Sequence, residues 1–366
     1  MRALSPYAGH VTATKREALI VGGGVIGVTS AFRLARAGWR VTLFDPSPGS
    51  GATWAAAGMV ASDAEITPGE EENHRLQQGA VGAWRLLAKE LHEVTGLTLD
   101  LVETGTLLVG FDASDRRLVS QFGDVAKGFG ATPTLVSRSS DEAMFQGVTP
   151  RVHDGLYLSE DAWLDPDLAM SLLITANEQL GVTVLRQSVL RAATKGAHVE
   201  VTTDEGTFRG DAGLLATGAR PLPSGVGEKV ANHVRPVRGM TVRVHGEDRS
   251  SLPTLRAYVR GRTFYMVSRP GGYCVLGASS DEKQELIVEV GELQRLLRDA
   301  LDVVPSLESA TLLETRQGLR PATKDLASFF EVVDERWAWS SGHYRHGVTL
   351  APLAALETLA FMQGLS

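Results

Sequence analysis

The stretch Ala18-Leu19-Ile20-Val21-Gly22-Gly23-Gly24-Val25-Ile26-Gly27 decides how this chain begins. Four apolar residues form a short run of the kind found in a strand buried on both faces. A triple glycine follows, then an apolar-periodic segment to Ala37 that stops at Gly38, as a helix does. Val41-Thr42-Leu43-Phe44 reads as a second strand, closed by Asp45. Within this strand–turn–helix–strand unit, Gly22, Gly24 and Gly27 have separate tasks. The first makes the tight turn, the second lets backbone approach a pyrophosphate, and the third lets helix and strand pack closely. The helix N-terminus offers free N–H groups and the positive end of its dipole to phosphates. Asp45 stands where a carboxylate accepts ribose hydroxyls. An acid rather than an arginine there argues against a 2′-phosphate and leaves FAD or NAD.

Working outward, the chain has 366 residues, enough for two domains and a sizeable core. Its net charge of −7 argues against nucleic acid or an anionic membrane as main partner. No apolar run is long enough to cross a membrane. Lys15 and Arg16 before an apolar stretch superficially suggest a leader, but the glycines and the charged Arg33-Leu34-Ala35-Arg36 that follow point to strand, turn and helix. Residues 1–15 read as a loose extension. The one cysteine, Cys274, sits among apolar neighbours and reads as a small buried hydrophobe. With no intramolecular disulfide available, nothing indicates an oxidising compartment, and a cytoplasmic location is expected.

Further along, helical spacing covers 71–95 through Leu76, Val81, Trp84, Leu87 and Leu91, and 97–110 alternates like a strand. Asp165-Pro166 starts a helix that runs to about Leu180. Short strands are expected at 182–186, 198–203 and 212–216, with several more between 236 and 279. Helices are expected over 286–301 and 350–361. This order suggests an α/β domain interrupted by a β-rich one.

Several segments extend this picture through a likeness. Thr53-Trp54-Ala55-Ala56-Ala57-Gly58-Met59 resembles the second flavin-binding segment of the D-amino acid oxidase superfamily. Ser341-Gly342-His343-Tyr344-Arg345-His346-Gly347-Val348-Thr349-Leu350-Ala351-Pro352 is similar to its C-terminal flavin motif. Gly318-Leu319-Arg320-Pro321 resembles the segment carrying its substrate-carboxylate arginine, and Pro236-Val237-Arg238-Gly239-Met240 its domain-crossing strand. Within the superfamily, the glycine oxidases of thiamine (thiazole) biosynthesis look most alike, from about residue 17 to 363.

The resemblance implies a discontinuous Rossmann-type FAD-binding domain over 16–88, 155–232 and 312–366, and a β-rich α+β substrate domain over 89–154 and 233–311. It implies non-covalent FAD. Cofactor contacts are expected from Gly22, Gly24, Val25, Ile26, Gly27, Asp45, Pro46, Ala52, Thr53, Ala57, Gly58, Met59, Val189 and Gly218, and from Gly342, His343, Tyr344, Arg345, His346, Gly347, Val348 and Thr349. Arg320 and Arg345 are implied to meet the substrate, with Tyr265 beside them.

The implied reaction is oxidation of glycine or a related small amino acid by hydride transfer to flavin N5. It yields imine, then glyoxylate, ammonia and hydrogen peroxide, with molecular oxygen as acceptor. A homo-oligomer, a tetramer by the same resemblance, is the expected assembly. Alternatives are a D-amino acid dehydrogenase or sarcosine-type oxidase on the same fold, or a non-catalytic nucleotide-binding protein. The chain departs from the pattern at Trp54, where a serine is common, at Leu326-Ala327-Ser328-Phe329-Phe330, and at Ser280, where some glycine oxidases place a methionine. His343 and His346 lack the ligand spacing of a metal site. Arg235 and Arg238 read as structural.

Overall fold

Alternation along the first strand sets up two layers. In Glu17–Val21, Ala18 and Ile20 face one side while Leu19 and Val21 face the other, and all four are buried. The strand sits inside a six-stranded sheet ordered Phe329–Asp334, Trp337–Ser341, Ala212–Leu215, Glu17–Val21, Arg40–Phe44, Thr183–Leu185. Five of these run parallel, and Phe329–Asp334 is an antiparallel edge. Helices Val25–Arg36, Ala80–Thr95, Pro166–Gln179 and Gly347–Gly364 cover one face around Phe32, Trp84 and Leu172. A three-stranded antiparallel sheet (Arg191–Lys195, His198–Thr202, Thr207–Gly210) covers the other, packing Val199 and Val201 near Phe44, Trp337 and Trp339. The structure is a computed structural model describing residues 16–227 and 230–365. The extension expected over 1–15 lies outside the described residues.

The second sheet has eight strands, in the order Thr311–Ala322, Arg235–His245, Tyr273–Gly277, Arg262–Arg269, Thr254–Val259, Thr106–Gly110, Asp154–Leu158, Thr134–Ser137. It is antiparallel except where Thr254–Val259 runs alongside Thr106–Gly110. Its first two strands stay paired from Arg235↔Ala322 to His245↔Thr311. Helix Val290–Val303 packs Leu296, Ala300 and Val303 against Met240, Val242 and Leu276. Helix Ala113–Gly128 lays Val119, Phe122 and Ala126 on Leu108, Leu156 and Leu158.

Several expectations shift. The helix expected over 71–95 breaks into Glu71–Gln77 and Ala80–Thr95, because Gly79 adopts φ +85°. Of 97–110, only Thr106–Gly110 is a strand. The helix expected from 286 starts at Val290, and the closing helix starts at Gly347 rather than 350. Helix Ala113–Gly128 and the strands at 311–322, 329–334 and 337–341 were not foreseen. That helix is announced by a capping box, Asp112 with Asp115. Strands Asp154–Leu158 and Thr311–Ala322 hydrogen-bond into the eight-stranded sheet, although the boundaries drawn from sequence put all but the first residue of each with the first domain. Thr311–Ala322 hides its nature because polar residues alternate with few apolar ones, several of them facing a cavity rather than a core.

Candidate functional site

A cavity of ≈ 630 Å³ is lined by residues of both sheets. At one end lies the glycine-rich turn. Gly22 has φ +111°, and a Cβ there would sit 2.2 Å from the Ala216 carbonyl oxygen. A Cβ on Gly27 would sit 1.9 Å from the Gly22 oxygen, so Gly27 serves helix–strand packing and does not line the cavity. At Gly24 the space is open: a Cβ would meet only Thr53 Oγ1, at 3.5 Å. The Val25 N–H donates to that same Oγ1 (3.1 Å). Asp45 closes its strand with Oδ2 accepting from the Gly23 N–H (2.7 Å) and Oδ1 from the Ser47 N–H (2.8 Å). Ala52, Ala55, Ala57 and Gly58 add a wall of small residues; at Gly58 a Cβ would come within 1.9 Å of the Leu164 oxygen.

Of the other expected cofactor contacts, Ile26, Pro46, Met59, Val189, Gly218, His343, Tyr344, Arg345, Gly347 and Val348 line the cavity. Gly342, His346 and Thr349 do not. Thr349 donates to the Met59 oxygen (3.2 Å) instead, and His346 is buried between two carboxylates. Burial, with His346 nearby, pushes the His343 imidazole down to about 4, so it is neutral at physiological pH. Ser340 lines the cavity, and its buried hydroxyl has no hydrogen-bond partner among the described residues. An open glycine turn, a strand-end carboxylate, small walls and an orphaned hydroxyl together fit a dinucleotide.

The far end is built on the eight-stranded sheet. Two glycines clear space there for two large side chains. The Arg320 guanidinium lies where a Gly239 Cβ would be, 2.1 Å from Nη1, and Tyr265 lies across Gly277 in the same way, 2.2 Å from its Cζ. Arg320 Nη1 donates to the Ser279 carbonyl oxygen (3.2 Å). Among the described residues no carboxylate forms an ion pair with Arg320. Burial pushes the Tyr265 hydroxyl up to about 12 against the pull of Arg320, so it stays a donor.

Arg345 departs from expectation. It lines the cavity, but its fork is taken by Glu70 (Nη1 to Oε1 3.1 Å, Nη2 to Oε2 2.9 Å), and Nη2 also donates to the Glu65 backbone oxygen and to Thr67 Oγ1. Direct substrate contact is therefore not what its geometry offers. The acids Glu65 and Glu70 are beyond the reach of local pattern; Arg256, which pairs with Glu65 Oε1 at 2.9 Å, was not singled out either. Arg256 and Tyr258 lie on the cavity side of an otherwise apolar strand; a charge at an alternate position there was the available signal. Burial opposes ionisation of Glu65. The nearby His346 ring and the charges of Arg256 and Arg345 outweigh it and hold the carboxyl well below the usual range.

Outside the cavity wall, Cys274 is buried, as its neighbours suggested, and burial pushes its thiol up. Arg238 is fully buried as a structural anchor, holding Asp281 (2.6 Å) and the carbonyls of Glu285 and Ile287. Arg235 pairs with Glu282. The Ser280 hydroxyl is 3.3 Å from that of Tyr344, and Trp54, partly exposed, carries the Arg316 guanidinium 4.8 Å from its ring centre. No helix among the described residues is long and apolar enough to cross a membrane.

The sequence pattern of the DAO family, described as FAD dependent oxidoreductase, matches residues 17–360. The chain belongs to that family. FAD is thus the cofactor of this DAO-family enzyme, and the residues of the glycine-turn end are those that would hold it. The enzyme is 29% identical to the glycine oxidase of Geobacillus kaustophilus (strain HTA426) over 93% of this chain and 91% of that one. It is 28% identical to the bifunctional protein ThiO/ThiG of Nostoc sp. (strain PCC 7120 / SAG 25.82 / UTEX 2576), matching 93% of this chain and 51% of that protein. The crystal structure of glycine oxidase from Geobacillus kaustophilus superposes with a TM-score of 0.83 at 25% identity, covering 95% of each chain.

Proposed function

We propose that this enzyme is an amino acid oxidase acting on glycine or a comparably small amine-bearing acid. The observation that carries the proposal is Arg320: a guanidinium on the cavity wall, without a carboxylate partner among the described residues, near the donor hydroxyl of Tyr265. Its planar fork suits bidentate binding of a substrate carboxylate, which would fix the position of Cα. The Tyr265 hydroxyl would donate to the same carboxylate and, being neutral, would not repel it. Bound FAD would supply the two-electron acceptor for the Cα–H bond. The chain's part is to orient the substrate and to keep the wall dry. His343, neutral and buried, adds no positive charge to compete for the substrate. Glycine, oxygen and water would then yield glyoxylate, ammonia and hydrogen peroxide. The names of the relatives support glycine as substrate and a supply role in thiamine thiazole synthesis.

The family likeness also supports a homo-oligomer in the cytoplasm. The domain division is best drawn with strands 154–158 and 311–322 in the substrate part. The position of Cys274, away from the cavity wall, favours FAD held without a covalent tether.

The test is peroxide production by the purified yellow protein in air with glycine, beside sarcosine and D-alanine. Peroxide with glycine at a rate matching or exceeding the others is the expected result. Flavin bleaching without peroxide would replace the oxidase with a dehydrogenase that feeds another acceptor. Absence of any reaction with all three would overturn the amino acid assignment.

A further inference from the structure

Four arginines line the cavity: Arg220 at the glycine-turn end, 3.7 Å from Asp45, and three at the far end whose surroundings differ. Arg256 gives Nη1 to Glu65 at 2.9 Å, in a pair whose side chains are 14% and 9% exposed. Arg345 gives its fork to Glu70, and its Nε lies 3.5 Å from Glu65 Oε2. Among the described residues, Arg320 has only the Ser279 carbonyl oxygen. Set against Glu65 and Glu70, the three arginines leave one positive charge over, and the geometry puts it on Arg320.

Glu65 is fixed from several directions. Its backbone oxygen accepts from Arg345. The N–H groups of the two residues before it, Asp63 and Ala64, donate to the buried Asp161 carboxyl at 3.0 and 3.2 Å. Its carboxylate is therefore part of the wall rather than a mobile side chain.

Resting on the amino acid oxidase assignment, we infer that Glu65 sets the charge the site will accept. By holding Arg256, and Arg345 from its other oxygen, it leaves Arg320 as the arginine of this end that has no carboxylate partner among the described residues. An amino acid with a single carboxylate is matched. One with a second anionic group brings that group toward a nearly dry carboxylate whose cations are already engaged, and is rejected. Glu65 is thus a positioning residue that confers specificity through repulsion as well as attraction.

The experiment uses the FAD-loaded enzyme and follows perturbation of the flavin absorption spectrum on titration with acetate and with malonate. The wild type should bind acetate about tenfold or more tightly than malonate. Glu65→Gln frees Arg256 and should shift that ratio about tenfold or more toward malonate. In Glu65→Gln with Arg256→Gln, the gain for malonate should fall well below that of Glu65→Gln alone, which a loosened fold would not reproduce. Should Glu65→Gln fail to fold, Arg256→Gln alone decides: it keeps Glu65 ionised in the wall and should leave malonate disfavoured. Equal binding of both ions by the wild type, an unchanged ratio in Glu65→Gln, or improved malonate binding in Arg256→Gln would each overturn the inference. Arg320→Ala separates the two levels. Loss of acetate binding there with an unmoved Glu65 ratio leaves the oxidase assignment standing and removes this inference. Acetate binding that survives Arg320→Ala removes the assignment itself.

Discussion

From Gly22 to Gly58 the cavity wall is mostly glycine and alanine with a few uncharged larger residues, and a single carboxylate, Asp45, closes its strand. At the opposite end the wall is Arg320, Arg256, Arg345, Tyr265 and Glu65, charged or polar side chains from separate strands and loops. One end recognises through what is missing, the other through what is held. A cradle of absent side chains tolerates no added atom where backbone approaches backbone, but is indifferent to exchanges on its outer side. A cradle of charges tolerates changes of shape better than changes of charge or partner.

That contrast can be broken in order of effect. Gly22→Ala places a methyl against the Ala216 oxygen at a φ that L residues rarely adopt. It should cost upward of about 3 kcal/mol and yield colourless protein, read from the melting midpoint and flavin content after purification. A yellow, stable variant would show that the turn does not need the missing side chain. At the other end, Arg320→Ala should keep its FAD and fold while losing roughly a hundredfold or more in kcat/KM, about 3 kcal/mol. Arg320→Lys should recover only a small part, because an ammonium does not reproduce the fork. Full recovery would reduce the site to point charge.

A third effect concerns pH. Because the folded His343 titrates near 4 rather than 6.5, the unfolded chain takes up a proton between those values that the folded one does not. This contribution to stability therefore falls as pH drops through that window, by on the order of 2 kcal/mol at pH 5 relative to pH 8. Buried Asp161, pushed up to about 7, acts in the opposite sense, so the difference between wild type and His343→Gln is the quantity to read. Urea midpoints at both pH values, with FAD held constant, should show wild type gaining on His343→Gln as pH rises; parallel curves would mean His343 is not the buried neutral group described. Smallest is Trp54→Ser. The indole is partly exposed and gives only its face to Arg316, so the change should cost less than about 1 kcal/mol and leave flavin content as it was. A colourless Trp54→Ser would mean that the glycine-turn end depends on a side chain after all.

The same contrast explains what could be read from sequence. Strand, glycine turn, helix, strand and terminal acid all fall between residues 17 and 45, so local spacing carries them. Asp165 before Pro166 and the helix it caps were legible for the same reason. Arg320 and Tyr265 were reachable only by family likeness, since nothing in Gly-Leu-Arg-Pro says that Gly239 leaves room for the guanidinium. The Glu65–Arg256 pair joins positions far apart in the chain through the meeting of a loop and a sheet, and no window of sequence holds both. Arg345 was read from a motif as a substrate group because its captors, Glu65 and Glu70, lie hundreds of residues earlier. The break at Gly79 was missed because apolar spacing continues across it, while the backbone does not.

The closing helix Gly347–Gly364 packs beside Val25–Arg36, in the same core, and residues 343–345, 347 and 348 line the cavity that Gly22 opens. During synthesis the glycine turn leaves the ribosome early, hundreds of residues before the wall it faces. A nascent chain that has reached residue 300 owns the fingerprint but not the cleft. A chain interrupted before that helix cannot complete the cleft.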